Sequence, residues 1–405
     1  MKIICINKFH WLKGGSETAY FSLMKIMEEY GHEVAPFSMQ DIRNLPTSYG
    51  KHFIENVSFD EGGLVKKLSA ALKIIYNWDA RSKMEGLIKT FHPDVAHFHI
   101  FQHQISPSVF GPLKKNGVPL VLTLHDLKPI CPNYKMLTHG DICERCKGGQ
   151  FIFCAIHRCS KESLLKSCLN TIEMYIHYML RYYQEVDRYI AVSNFYRKKM
   201  IEFGFSPEKI VHIPNSVDAS RFPVMTYDGG YGIFFGRLSV EKGVITLLRA
   251  LAKRPEISFV IVGTGPMENE LKCQAASLGL KNITFTGFKS GSDLYRLIAE
   301  ASFSVIPSEW YENCPMSVLE SFAMGRAVIG ASIGGIPELI EDEVDGLIFE
   351  SGNADALAER MWQLWTNPVR RREMGMAGRM KIQTEYTPRL NYEQTVAVYE
   401  ELILR

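Results

Sequence analysis

Short apolar runs alternate with amphipathic helical stretches along the whole 405-residue chain, and this alternation restricts the fold more than any other feature. In the first half the runs are "KIICIN", "HEVAPFS", "DVAHFH", "PLVLTLH", "DRYIAVS" and "KIVHIP". In the second half they are "YGIFFG", "SFVIVG", "NITFTG", "FSVIP", "AVIGAS" and "DGLIFE". Apolar strands separated by helices imply α/β architecture, with a mostly parallel sheet covered by helices on both faces. The series restarts near residue 228. Around the restart lies "NSVDASRFPVMTYDGGYG", whose proline, glycine, serine and aspartate read as a linker between two Rossmann-like domains. Ligands bind such sheets at the carboxyl ends of strands. Two facing domains would place one ligand cleft between them.

The chain is 46% hydrophobic, enough to core two domains or three. No segment approaches about 18 consecutive apolar residues, so no transmembrane helix is expected. The N-terminal "MKIICIN" lacks a secretory layout and reads as a first strand, which makes a cytoplasmic protein the expectation. The net charge is only +2, and nucleic acid is not an expected partner. Charge is unevenly spread, however. Residues 1–215 carry 27 Lys+Arg against 20 Asp+Glu, and the remainder 19 against 24. A basic first half suits an anionic acceptor or the inner membrane surface, or is ordinary solvated surface.

The chemistry-bearing residues follow the strands. "KGGSE" (Lys13 to Glu17) follows the first run and opens a helix. Gly14 and Gly15 there let backbone N–H groups approach a phosphate, or serve a plain tight turn. His125 and Asp126 follow "PLVLTL" directly, which places the histidine at a strand's carboxyl end. "FFGRLSVEKG" sets Arg237 and Lys242 five residues apart before a helix, a suitable pair for a diphosphate. Gly263 and Gly265 in "VGTGP" permit close approach of a flat or charged ligand. In "WYENCPMSVLE", Pro315 suits the first helical position, Glu312 precedes it in the loop, and Glu320 falls in the second turn. A carboxylate accepts two hydrogen bonds side by side and so can hold a vicinal diol, which for Glu320 is a ribose.

With "IPNSVD", "SIGGIPELI" and the terminal "NYEQTVAVYEEL", these motifs make the chain resemble the retaining nucleotide-sugar glycosyltransferases of family 4, also called group 1, with the GT-B fold. The resemblance covers nearly the whole chain. It implies an N-terminal acceptor domain over 1–222, a donor domain over 223–387, and a final helix, 388–405, crossing back onto the first. It also implies roles. Arg237 and Lys242 would neutralise the donor diphosphate, Glu320 would bind the ribose, and Glu312 would contact the transferred sugar near the amides of Asn313, Cys314, Pro315 and Met316. His125 would contact the sugar from the other domain, and Gly14 and Gly15 would lie near the donor phosphates or the acceptor. The implied donor is a UDP-, GDP- or ADP-sugar, the acceptor a carbohydrate or lipid-linked one, and no metal or other cofactor is required. A non-catalytic nucleotide-sugar-binding protein and a related GT-B epimerase are the alternatives. The epimerase would lack the Arg237/Lys242 and two-glutamate set.

Two stretches stay open. Six of the nine cysteines lie between Cys131 and Cys168. In a cytosolic chain they suit metal ligation or burial better than disulfides. Cys143, Cys146, Cys154 and Cys159 would hold a structural zinc, or remain buried free thiols. "SLLKSCLNTIEMYIHYMLRYY" reads as an amphipathic helix that covers the core or touches a membrane surface, with core cover the commoner case.

Overall fold

The computed structural model describes residues 1–56 and 64–404. All twelve apolar runs form strands. The first sheet contains β1 (Lys2–Ile6), β2 (Glu33–Phe37), β3 (Val95–Phe98), β4 (Leu120–Leu124), β5 (Arg188–Ala191) and β6 (Ile210–His212), ordered β2-β1-β3-β4-β5-β6. The second contains β7 (Gly232–Phe235), β8 (Phe259–Val262), β9 (Ile283–Gly287), β10 (Phe303–Ile306), β11 (Val328–Ala331) and β12 (Gly346–Phe349), ordered β9-β8-β7-β10-β11-β12. The pairings are parallel; Ile3, for example, registers with Val34 on one side and Val95 on the other. Parallel strands need crossovers, and helices supply them, which is why the strands read as unbroken apolar runs.

The described chain divides into two compact units. The first comprises Met1–His139, Cys143–Ile213 and Asn391–Arg405; the second comprises Gly140–Ile142 and Pro214–Leu390. The division thus falls at Ile213/Pro214 rather than at 222/223. The stretch read as a linker belongs wholly to the second unit. Asn215 Nδ2 donates to Cys314 O at 3.2 Å, Val217 N to Tyr386 O at 2.9 Å, and Asp228 pairs with Arg371 at 2.6 Å. Its turn-forming composition therefore serves caps and ion pairs. Asp218, for instance, caps the short turn Ala219–Arg221.

The C-terminal helix Pro388–Ile403 passes from the second unit's residues into the first, where Tyr399 joins a fully buried cluster with Ile3, Tyr20, Val95 and Val121. Arg188 and Glu401, 2.6 Å apart, and Tyr392 and His32, 2.9 Å apart, fasten it further.

The helix Leu164–Met179 departs from the core-cover reading. Its buried side carries Ser167, Asn170, Thr171, Glu173, Met174 and His177. Two of its leucines point outward: Leu164 and Leu165 are both exposed. The polar side is held by specific bonds. Lys128 Nζ lies 2.7 Å from Glu173 Oε2 with both side chains buried, Asn170 Nδ2 donates to Ser160 Oγ at 2.7 Å, and His177 Nε2 donates to Ile75 O at 3.0 Å. Losing one partner of the buried Lys128–Glu173 pair would strand a charge, so the helix cannot roll.

Candidate active site

In the second sheet β7 neighbours both β8 and β10, so the chain changes direction of growth between β7 and β10. Loops leaving two such strands diverge and open a crevice at their carboxyl ends. The β7 loop runs through the short turn Val240–Lys242 to Gly243, which starts the helix Val244–Ala252 with φ 65°. A Cβ at Gly243 would stand 1.8 Å from Pro307 O. Only glycine lets the β7 loop press this closely on the β10 loop.

That approach brings Lys242 to Glu312. Nζ stands 2.5 Å from Oε1, and Ser308 Oγ donates to the same oxygen at 2.7 Å. Lys242 also sits 5.5 Å over the Trp310 ring. Desolvation pushes the buried Glu312 carboxyl up, but the Lys242 ammonium and the hydrogen bonds outweigh it and hold it below the ordinary value. Two sequence-predicted residues, 70 positions apart, are thus joined in one ion pair. Arg237 lies on the same loop, exposed, with no side-chain partner among the described residues.

The main chain around Glu312 is clamped from a second side. Gly334, at φ 61°, has no room for a Cβ, which would fall 2.3 Å from Glu312 O, and Gly335 N donates to that carbonyl at 2.8 Å. Pro315 is the N-cap, one position before the helix Met316–Ala323 rather than its first residue. Glu320 is in the second turn as expected. It is partly buried and accepts no hydrogen bond from a described side chain, so desolvation raises its pKa to about 7. Asn313 and Cys314 complete the loop, Cys314 being buried with its carbonyl bonded to Asn215.

The glycines of "VGTGP" have a structural job that the sequence did not reveal. A Cβ at Gly263 would be 1.9 Å from Gly236 O, and one at Gly265 would be 2.2 Å from Leu238 O. They allow the β8 loop to lie against the loop that carries Arg237. Glu309, which sequence reasoning passed over, accepts from Thr246 Oγ1 at 2.6 Å and ties the β7 helix to the β10 loop.

The first unit's carboxyl edge is built differently. His125 follows β4 and shares a 2.8 Å hydrogen bond with His99, the residue after β3, while their rings stack 5.1 Å apart. His97 stacks on His99 at 4.7 Å and is bonded to Tyr399 and, at 2.7 Å, to Thr123. Burial holds this tier neutral, with His125 at about 4 and His97 at about 3. Sequence reasoning found His125 and missed its partners. The signal was there in "HFH", since residues two apart on a strand share a face.

Gly14 is extended and caps the helix Gly15–Glu29 without a side-chain bond. The nearest buried acid is Glu17, raised first by desolvation and hydrogen-bonded to Ser16 at 3.1 Å and Asn7 at 3.5 Å. In the cysteine insert every thiol is free. The Cys154 and Cys159 thiols share a hydrogen bond, and Arg145 Nη1 reaches Cys143 Sγ at 3.7 Å. Among the described residues no group of three or more His, Cys, Asp or Glu stands in a metal-holding arrangement. A cavity of about 460 Å³, lined by Lys114, Asp187 and Glu208, lies at the amino edge of the first sheet, away from these residues.

Two family models cover most of the chain: Glycosyltransferase Family 4 matches residues 13–221 and Glycosyl transferases group 1 matches 228–381. The protein belongs to this glycosyltransferase family, as its motifs implied. Among curated relatives, the Amylovoran biosynthesis glycosyltransferase AmsK of Erwinia amylovora is 27% identical over 236 residues, 55% of this chain and 58% of its own. The O-antigen chain mannosyltransferase C of Escherichia coli is 29% identical over 222 residues, 53% and 59%. The matches therefore span less than two thirds of these relatives. A 42.6 kDa uncharacterized protein in the cps region of Klebsiella pneumoniae is 25% identical over 357 residues, 84% and 87%. In fold the chain is similar to Sucrose-phosphate synthase from Thermosynechococcus elongatus (TM-score 0.76, 17% identity, covering 100% of this chain and 99% of that one). It is also similar to Anabaena Alr3699/HepE in complex with UDP and glucose (TM-score 0.65, 17% identity, 99% of each). The two Rossmann-like units are those of GT-B glycosyltransferases.

Proposed function

We propose that the protein is a retaining glycosyltransferase that moves a sugar from a nucleoside-diphosphate sugar to a polysaccharide, glycolipid or other sugar-bearing acceptor. The observation that carries this reading is the Lys242–Glu312 pair at the strand-order switch, with Arg237 exposed on the same loop. A diphosphate entering there meets two cations and the N-terminus of the helix Val244–Ala252.

In this reading the nucleoside diphosphate leaves as its growing charge is held by Arg237 and Lys242, and the sugar passes through an oxocarbenium-like state. The acceptor hydroxyl attacks from the face the leaving group vacates, and a departing phosphate oxygen takes its proton. Glu312, held ionised by Lys242, positions the sugar and is not required as base or nucleophile. Glu320, carrying no competing side-chain bond, is free to take the ribose diol. His125 is neutral and suits an uncharged sugar hydroxyl. The names of two relatives, Amylovoran biosynthesis glycosyltransferase AmsK and O-antigen chain mannosyltransferase C, support a polysaccharide acceptor.

The test is incubation with a panel of UDP-, GDP- and ADP-sugars, with and without glycan acceptors. Slow nucleoside diphosphate release with one donor, accelerated by an acceptor, is the expected result. Donor binding without release under any condition would reduce the protein to a nucleotide-sugar binder. A thermal-shift screen of the same panel identifies the base.

A further inference from the structure

The helix Leu164–Met179 is amphipathic in the wrong sense for a core element. Five of its six buried residues are polar, whereas Leu165 and Met179 are 80% and 76% exposed, and Leu164, Ile172 and Leu180 are exposed beside them. At 3.6 residues per turn these apolar positions fall on one side. The short helix Ile152–Ile156 packs on the same element, through the Phe151–Tyr175 ring contact and the bond from Ile152 N to Tyr175 Oη, and adds exposed Ile152 and Ile156. The inward bonds of Glu173, Asn170 and His177 stop the helix from rolling to hide its leucines. A contiguous apolar surface on a protein that keeps its shape marks a place where something else docks.

The charges say what docks. Arg158 and Lys161 stand just before the helix and Arg181 just after it, all exposed. From residue 145 to 181 the exposed acid is Glu162, because Glu173 is consumed by Lys128. A cationic border round an apolar strip complements anionic headgroups over acyl chains. A second copy of this chain would set one cationic border against another. Among the described residues no helix is long and apolar enough to cross a membrane, which leaves this element a place in the interface plane and none across a bilayer.

We propose that the outward face of the 152–180 segment docks the protein on an anionic lipid bilayer, the 164–179 helix lying in the headgroup plane with Leu164, Leu165, Ile172 and Met179 turned into the acyl region. This surface is separate from the residues assigned to sugar transfer and does not depend on that assignment. The experiment is vesicle flotation of the full chain, using phosphatidylcholine mixed with phosphatidylglycerol against phosphatidylcholine alone. Binding to the mixed vesicles is expected, weakened by salt, with a partition constant at least about tenfold lower for L165E/M179E and for R158E/K161E. Both double variants change exposed side chains, and a thermal melt checks that they fold. Wild-type protein that stays with the unbound fraction, or L165E/M179E that floats as well as wild type, overturns the proposal. So does a wild-type dimer in sedimentation that L165E/M179E converts to monomer without any flotation. Nucleoside diphosphate release in vesicle-free buffer should be equal in wild type and both variants, so a failure of docking and a failure of transfer are told apart.

Discussion

The two units carry the same kind of sheet and opposite chemistry at its carboxyl edge. All twelve histidines precede Pro214 and none follows it. The first unit's edge is a neutral stack of His97, His99 and His125, kept uncharged by burial. The second unit's edge is ionic, with Arg237, Lys242 and Glu312 on loops that cross at Gly243. A shared fold thus fixes where a site forms and leaves its chemistry to the loops. One edge offers neutral hydrogen-bonding rings, the other a buried ion pair beside an exposed cation.

The largest effect should come from the ionic edge. Lys242→Ala should lower turnover by about a thousandfold, well beyond what the accompanying loss of stability explains, since Glu312 is left without its ion-pair partner and the thermal midpoint should fall by several degrees in a protein that still folds. Full activity in that variant would remove the diphosphate assignment. His125→Ala, on the neutral edge, should cost about a hundredfold. Because His125 titrates near 4, the activity profile should show no histidine ionisation near pH 6.5; one that His125→Ala abolishes would contradict the buried tier.

Next comes Glu320, whose raised pKa predicts that the apparent donor Kd increases about tenfold as pH falls from about 8 to about 6. Glu320→Gln should bind donor weakly with no such pH dependence, and an unchanged slope in isothermal titration would sever Glu320 from the nucleotide. The smallest effect separates the units by stability. Histidines with depressed pKa values bind fewer protons folded than unfolded, so the first unit loses stability as pH falls from 6.5 towards 4, by about a few kcal/mol. Glu320 has the opposite sign, since its folded pKa is raised, and weakens the second unit as pH rises from 4.5 to about 7. Acid titration followed by hydrogen exchange should therefore open the first unit first.

Most of the fold was legible because a doubly covered parallel strand must be an apolar run, and each such run did become a strand. Residues 215–232 carry proline, glycine and aspartate, which mark turns without saying whether those turns are anchored; Asp228 is anchored by Arg371, 143 positions away. Periodicity detected the 164–179 helix, yet a one-sided pattern does not say which side faces in. That was decided by Lys128, far from the helix in sequence. The site residues could be listed individually, since each follows a strand. Their pairing could not, because Gly243, Gly263 and Gly334 act through backbone contacts with distant segments.

The glycine clamp has a practical corollary. Since the main chain at Pro307 and Glu312 is met by glycine backbone, and the bonds from Thr246 and Asn215 reach Glu309 and the Cys314 carbonyl, the course of the acid-bearing loop does not rest on the side chains of Asn313 and Met316. Randomising Asn313 and Met316 should therefore retune sugar preference in a library whose members still fold, whereas a single methyl added at Gly243 or Gly334 would spoil them all.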